Sequence, residues 1–424
     1  MKVPLSLLLE YCDPGLPVEE IASVLALTGT EVERVTKLGV EDPSTFVVGK
    51  VLTCEKHPDA DKLKVCSVDV GAADPAQIVC GAPNVAAGQL VPVALTGSVM
   101  PNGLKIKKAK LRGVESNGMI CAEDELGLSR SHEGILELPE SSGPAGRALE
   151  EVLPLGETVL ELEITPNRPD CLGVYGVARE LHAATGAPLK PAPWEEDFGS
   201  EGDLAGFSLS VEDKELCPRF TARIYEIDGA GQTPMAVQGH LTAAGMRPIS
   251  PVVDITNYVM LVVGEPLHAF DLDRLAGEQL TVRSASGGEE ITTLDGQEHK
   301  LAAGDPVIED GEGPTSIAGV MGGARSEVHD GTKRVLLEAA VWNGPTINKT
   351  SNRLNLRSEA SGRFEKGLSP VVTDRGQAFA SQLFKSFFGV VPLAGTAAAG
   401  EVPAPTEINL ELAKVDSLLG GEWS

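Results

Sequence analysis

Cationic side chains are scarce in this chain: Lys and Arg number 35 against 61 Asp and Glu, for a formal net charge of −26. So acidic a body does not adhere indiscriminately to nucleic acid or anionic membrane, and any phosphate contact must come from a local basic patch. Aromatic residues make up only 4%, which leaves Leu, Val, Ile and Ala to fill the cores. The seven cysteines, at 12, 54, 66, 80, 121, 171 and 217, include no CxxC pair. That excludes the common zinc spacings and a disulfide framework, and it suits a reducing cytosol. No apolar run approaches the ~18 residues of a membrane helix. The opening MKVPLSLLLEYCD lacks the small-residue cleavage site of a signal peptide. These absences predict a cytoplasmic protein that does not enter a membrane.

What is present is globular. With 424 residues, 42% hydrophobic and 23% charged, the chain is long enough for two to four domains. Residues 1–39 read as a strand, a short helix and an amphipathic helix opening at Pro17 and ending near Thr28-Gly29. From Phe46 to about Ala122 the pattern changes to short strands of period two: FVVGKVLTC, KLKVCSVDV, IVCGAP, LVPVAL and LKIKKAKLRG. Regular spacing with turn signals favours a small barrel or sandwich. Within it, KIKKAKLR at 105–112 holds Lys105, Lys107, Lys108, Lys110 and Arg112. This is either a phosphate-facing ridge or a lysine-protected sheet edge. HPDADKL at 57–63 reads as a polar turn rather than a metal site, since no further ligand cluster lies nearby. ELEITPNRPDCLGVYGVARELHAATG (161–186) predicts a strand, a proline-bracketed turn and a helix capped by Asp170 and closed by Gly186. Residues 187–206 have linker composition, and IAGVMGG (317–323) lacks the Lys-Ser/Thr of a P-loop.

The stretch VVDITNYVMLVVGEPLHAFD (252–271) sets Asp254, Thr256, Asn257 and His268 into apolar surroundings. A buried polar group without a partner costs roughly 1–3 kcal/mol, so these residues need an internal network or a ligand. Taken alone, the stretch predicts a strand, a turn and a helix, with His268 a satisfied core histidine. Glu338, in VLLEAAVW, taken alone would be half of a buried salt bridge with Arg357 or Arg363.

Many motifs in a fixed order change that reading. TGTEVE (28–33), HPDADKLKVCSVDVG (57–71), IVCGAPNV (78–85), LKIKKAKLRGVESNGMICAEDELGL (104–128) and NRPDCLGVYGVARELHAATG (167–186) are followed by five more. These are DITNYVM (254–260), HAFD (268–271), IAGVMGG (317–323), VLLEAAVW (335–342) and RSEASGRFEKG (357–367). Together they resemble the β subunit of bacterial phenylalanyl-tRNA synthetase, over its N-terminal portion.

The resemblance implies an α+β multidomain fold. An OB-fold β-barrel with tRNA-binding character (40–151) would be inserted in a small α/β domain (1–39 and 152–195). A linker (196–206), an α+β editing region (207–398) and the start of a helical module (404–424) would follow. It implies tRNA(Phe) as partner, together with a separate α subunit that activates phenylalanine in an α2β2 assembly. ATP and Mg2+ would serve the complete enzyme, with no cofactor or metal held by this chain.

The resemblance also implies an editing site that hydrolyses mischarged Tyr-tRNA(Phe). A pocket built for phenylalanine rejects an added hydroxyl by only about 100-fold, so a second site must demand that hydroxyl. Carried over residue by residue, Glu338 accepts the para-hydroxyl and His268 assists. Thr256, Asn257, Gly319, Ser358 and Ala360 line the pocket, and Ser358 stands where the family usually has Thr. Water would attack the ester without a covalent intermediate, and tyrosine would be a ligand. The other reading is a non-catalytic tRNA-binding or scaffold module, in which Lys105, Lys107, Lys108, Lys110 and Arg112 carry the function.

Overall fold

The computed structural model describes residues 1–128, 134–229 and 231–421. The strand Lys2–Pro4 runs straight into the helix Leu5–Tyr11, and a second helix spans Val18–Leu27. Glu19 and Glu20 sit in its first turn, where carboxylates complement the positive end of a helix. The strand Glu31–Lys37 does not pair with Lys2–Pro4. Thr158–Glu163 lies between them and pairs antiparallel with both. Helix Val174–Thr185 packs on both earlier helices and ends in left-handed Gly186, whose N–H donates to His182 O. Asp170 does not cap it. A short 3-10 turn, Pro169–Leu172, moves Asp170 upstream, Gly173 takes the cap position, and Arg168 clasps the Asp170 carboxylate at 2.9 and 2.8 Å.

Between the two halves of that unit lies an antiparallel sheet of five strands in the order 76–80, 64–69, 46–56, 90–94, 119–120. Its inner face is apolar, with Val51, Cys66, Val68, Ile78, Val91 and Val93 buried together. A hairpin, Ala109–Leu111 with Val114–Ser116, lies across the 76–80 edge: Ser116 Oγ accepts from Val79 N at 3.0 Å, and Gln77 Nε2 donates to Glu115 O at 2.8 Å. The sheet is thereby nearly closed into a barrel. LKIKKAKLRG is not the long strand its position suggested. Lys105 makes one isolated bridge with Val99, and regular pairing begins only at Ala109. Five cations in eight residues leave too few apolar side chains to alternate inward.

Residues 196–206 carry no helix or strand. They are nonetheless tied down, since Arg223 grips the Asp197 carboxylate at 2.6 and 2.8 Å.

The remaining body has two large sheets, beside the two-stranded ribbon of 290–292 with 298–300. One is four-stranded and antiparallel, in the order 267–271, 334–341, 219–226, 397–400; the other has five strands, in the order 208–211, 279–284, 306–310, 313–317, 321–322. Helices Pro251–Val263 and Val371–Phe388 pack together against the first sheet. Residues 252–271 therefore run helix, turn, strand, the reverse of the order expected. The helix is buried on nearly every side, which erases the 3.6-residue pattern that would have marked it. It is bounded by Ser250 at the N-cap, Pro251 at the first position, and left-handed Gly264 at the close. Gly173 backs onto this last turn so tightly that a Cβ there would lie 2.5 Å from Gly264 N. The final helix, Leu412–Leu419, buries none of its residues; 422–424 of the expected helical module lie outside the described residues. Among the described residues no helix is long and apolar enough to cross a membrane.

Candidate functional site

Strand register brings His268 and Glu338 together. In the antiparallel ladder of 267–271 with 334–341, His268 is the direct partner of Glu338, and Ala222 continues the same row on the far side. Gly376 of the long helix would place a Cβ 3.3 Å from Leu267 Cδ2, so Leu267 faces the helices. Successive strand residues alternate sides, so His268 and Glu338 share the opposite face. There the His268 ring stands edge-on to Phe270, with centroids 4.4 Å apart.

Glu338 is buried and His268 half-buried, and both are incompletely bonded. Glu338 is 5% exposed, and its Oε2 is buried without a hydrogen-bond partner, as is His268 Nε2. Burial pushes the Glu338 carboxyl up to about 8 and lowers the His268 imidazolium to about 4. Near neutral pH the pair is therefore an uncharged imidazole beside a protonated acid. The buried salt bridge that Glu338 alone suggested is not formed, because Arg357 pairs with Glu365 and Arg363 with Glu359. Nor is His268 a satisfied core histidine.

The other residues expected here divide into two groups. Ser358 caps the helix Glu359–Phe364 in a capping box with Ser361, and its hydroxyl also donates to Val320 O at 3.2 Å. It thus ties the 317–323 turn to that helix, whose half-buried Ala360 packs on the core. Gly319 is left-handed at φ 67°, and a Cβ there would meet Ile347 Cδ1 at 2.7 Å and Trp342 Cδ1 at 2.8 Å. Thr256 and Asn257 lie on the helix Pro251–Val263, which packs on the opposite face of the sheet from His268. The Thr256 hydroxyl donates to Val253 O in its own helix, and Asp254 is satisfied by Thr233 Oγ1 and Ile249 N. Half-buried Asn257 lies toward the outer side of that helix.

Two residues escaped the sequence reading. Gly322 faces the imidazole directly: a Cβ there would lie 2.3 Å from His268 Cε1 and 2.7 Å from Nε2. The paired glycines of VMGG were its signal, since only glycine admits so close an approach. Glu265 is fully buried with both carboxylate oxygens unpartnered, and burial, then the neighbouring Glu338 charge, holds it well above the usual carboxylate range. Its position in an apolar run was the available clue. Cavities of about 310 and 330 Å³ open elsewhere, and neither is lined by His268 or Glu338.

On the barrel, Lys105, Lys107, Lys108, Lys110 and Arg112 are all exposed. Lys108 is engaged with Glu115 at 2.9 Å. Arg112 and Gly113 form the hairpin tip with φ of 48° and 90°, the two left-handed residues of a type I′ turn. His57 anchors this tip. Its Nδ1 accepts from Asp59 N at 3.0 Å, which leaves Nε2 to donate to Leu111 O at 3.0 Å. HPDADKL is thus a polar turn, as read, with its histidine fastening the basic hairpin.

Sequence comparison matches these two regions separately. A tRNA binding domain family matches residues 46–147, and the B3/4 domain family matches residues 216–389. The phenylalanine–tRNA ligase β subunit of Nitratidesulfovibrio vulgaris is 46% identical over 404 residues, covering 95% of this chain and 50% of its own. The chain belongs to the phenylalanine–tRNA ligase β-subunit family, in its N-terminal portion. The same-named subunit of Moorella thermoacetica is 44% identical over 444 residues, covering 100% of this chain and 53% of its own. The chain spans about half the length of the curated β subunits it matches. An N-terminal fragment of the phenylalanyl-tRNA synthetase β-subunit from Pyrococcus horikoshii aligns over 63% of this chain and 74% of that one, at 16% identity and a TM-score of 0.30. That likeness is too slight to bear on the fold.

The family name raises the matter of magnesium. Among the described residues, Asp170, Cys171 and Glu180 are the one grouping of potential ligands close enough to share an ion. They do not fit one, because Arg168 already occupies the space, 2.8 Å from Asp170 and 2.7 Å from Glu180.

Proposed function

We propose that this chain binds tRNA(Phe) through an OB-fold-type barrel and clears mischarged tyrosine at a site built on His268 and Glu338. The observation that carries the reading is the cross-strand pair with two buried, unbonded polar atoms, Nε2 of His268 and Oε2 of Glu338. One phenolic hydroxyl can satisfy both, donating to one and accepting from the other. Phenylalanine would leave both unpaired, at roughly 1–3 kcal/mol for each. That asymmetry is what a second, hydroxyl-demanding site requires.

In this reading the two groups select the substrate and water does the chemistry. Attack on the ester carbonyl proceeds without a covalent intermediate, helped by the terminal ribose hydroxyl of the tRNA. Gly319, Ser358 and Ala360 complete the walls, with Gly322 setting the position of the His268 ring. Phenylalanine activation, with ATP and Mg2+, belongs to an α subunit, which joins β subunits such as this one in the cytoplasm as α2β2. No step assigned here uses a metal.

The test is single-turnover deacylation of Tyr-tRNA(Phe). His268→Ala and Glu338→Ala should each slow hydrolysis by about 10–100-fold, the loss of one to two buried hydrogen bonds, while tRNA affinity is retained. If both variants deacylate at the parental rate, the editing assignment is wrong and the chain is a tRNA-binding module.

A further inference from the structure

Three cysteines cluster in the barrel, and two of them are placed to react with each other. Cys54 and Cys66 are direct partners in the antiparallel ladder between strands 46–56 and 64–69. Directly opposed residues in such a ladder have Cα atoms about 4.5–5.5 Å apart, inside the range of about 4.4–6.8 Å that a disulfide spans. The sulfurs already touch: the Cys66 thiol donates to Cys54 Sγ at 3.6 Å, and Cys54 in turn donates to Val85 O at 3.6 Å. Closing that gap to a bond needs side-chain rotation only. Cys80, one strand further on, faces Lys64 and not Cys66 in the ladder.

We propose that Cys54 and Cys66 form a reversible redox site, oxidised to a cross-strand disulfide by hydrogen peroxide. Cys54 is part-exposed while Cys66 is fully buried, so the peroxide meets Cys54 first. The Cys54 thiol displaces hydroxide from peroxide and becomes a sulfenic acid, releasing one water. The Cys66 sulfur then attacks the Cys54 sulfur, the S–S bond forms, and the sulfenic oxygen leaves as a second water. Two thiols are oxidised and one peroxide is reduced to two waters. A thiol reductant reverses the step by exchange.

The position gives the bond a consequence. It would clamp the ladder three residues before His57, the residue that holds the basic hairpin at Leu111. Cys54 and Cys66 lie in a different sheet from His268 and Glu338, so their oxidation is independent of the proposed editing site.

The experiment treats the whole chain with a small excess of hydrogen peroxide, quenches it, and counts thiols in denaturant. Of seven cysteines, five should remain titratable, and dithiothreitol should restore all seven. Peptide mass spectrometry should find VLTCEK (51–56) joined through Cys54 to the peptide that begins at Val65, with fragment ions placing the link on Cys66. A Cys54→Ser chain should form no such link, and a Cys80→Ser chain should form it fully. A link from Cys66 to Cys80, a disulfide between two chains, or equal thiol loss in the parent and the Cys54→Ser chain would each overturn the proposal.

Discussion

His268 and Glu338 stand directly opposite each other on neighbouring antiparallel strands, yet His268 Nε2 and Glu338 Oε2 are each buried without a hydrogen-bond partner. Two neighbouring strands have aligned a histidine and a carboxylic acid with polar atoms cut off from solvent. The arrangement weakens the fold unless something else is bound there. Two predictions concern this pair and two the basic hairpin of the barrel.

The first concerns pH. Glu338 titrates higher in the fold, about 8, than in the unfolded chain, near 4.5, so above pH 4.5 the folded state holds a proton that the unfolded state has lost. This contribution to stability falls as pH rises toward 8. His268 has the opposite sign: titrating near 4 in the fold against 6.5 unfolded, it lowers stability as pH falls below 6.5. The two slopes oppose each other between about 4.5 and 6.5, and only the acid's acts from 6.5 to 8. Over that window Glu338→Gln should gain stability relative to the parent, by about 1.4 kcal/mol per pH unit at most. Urea denaturation at pH 6.5 and pH 8 measures it; an equal pH response in both proteins would show that Glu338 is not protonated in the fold. Glu265 contributes with the same sign and remains in both proteins.

Gly322→Ala should displace the imidazole, because the added methyl carbon would sit 2.3 Å from His268 Cε1. Overpacking of this kind costs about 1–3 kcal/mol. Tyrosine binding should weaken in proportion while the barrel is unaffected. Thermal unfolding with and without tyrosine tests both halves; an unchanged melting temperature with normal tyrosine protection would mean that the ring moves aside freely.

On the barrel, salt dependence separates the lysines. Each phosphate contact contributes about 0.7–0.9 to the slope of log affinity against log salt. Lys107→Ala and Lys110→Ala should each remove about that much for tRNA. Lys108→Ala should remove less, since its ammonium is already engaged by Glu115. Equal losses from all three, measured by filter binding across salt concentrations, would refute the distinction.

His57→Ala removes no cation from the ridge but cuts the bond to Leu111 O. It should lower tRNA affinity with the salt slope kept close to the parental value, because the same charges are present but poorly held. Stability should fall by about 1–3 kcal/mol from the groups left unpaired. A loss confined to stability would make His57 structural only.

Much of this was legible in the residues, for reasons that can be named. Short alternating strands showed where the barrel lay, because one face of each strand is buried and the other is wet. The helix ending at Gly186 showed because a left-handed glycine has few substitutes. Val252–Val263 misled because a helix enclosed on all sides has no polar face to give it a period. Asp170 misled because Arg168, two residues before it, offered a stronger partner than a helix end. The pairing of His268 with Glu338, 70 residues apart, depends on strand register, which no local pattern encodes. Residues 187–206 look like free linker by composition, but one carboxylate, Asp197, meets a buried guanidinium and fixes its stretch of chain.

The small sheet at the start of the chain has a consequence in time. Lys2–Pro4 and Glu31–Lys37 touch only through Thr158–Glu163, which lies between them. Every strand of the barrel falls between Phe46 and Ile120. A chain emerging from the ribosome in sequence order can therefore close its barrel while its own first strand is still waiting for a partner. The part made first is finished second.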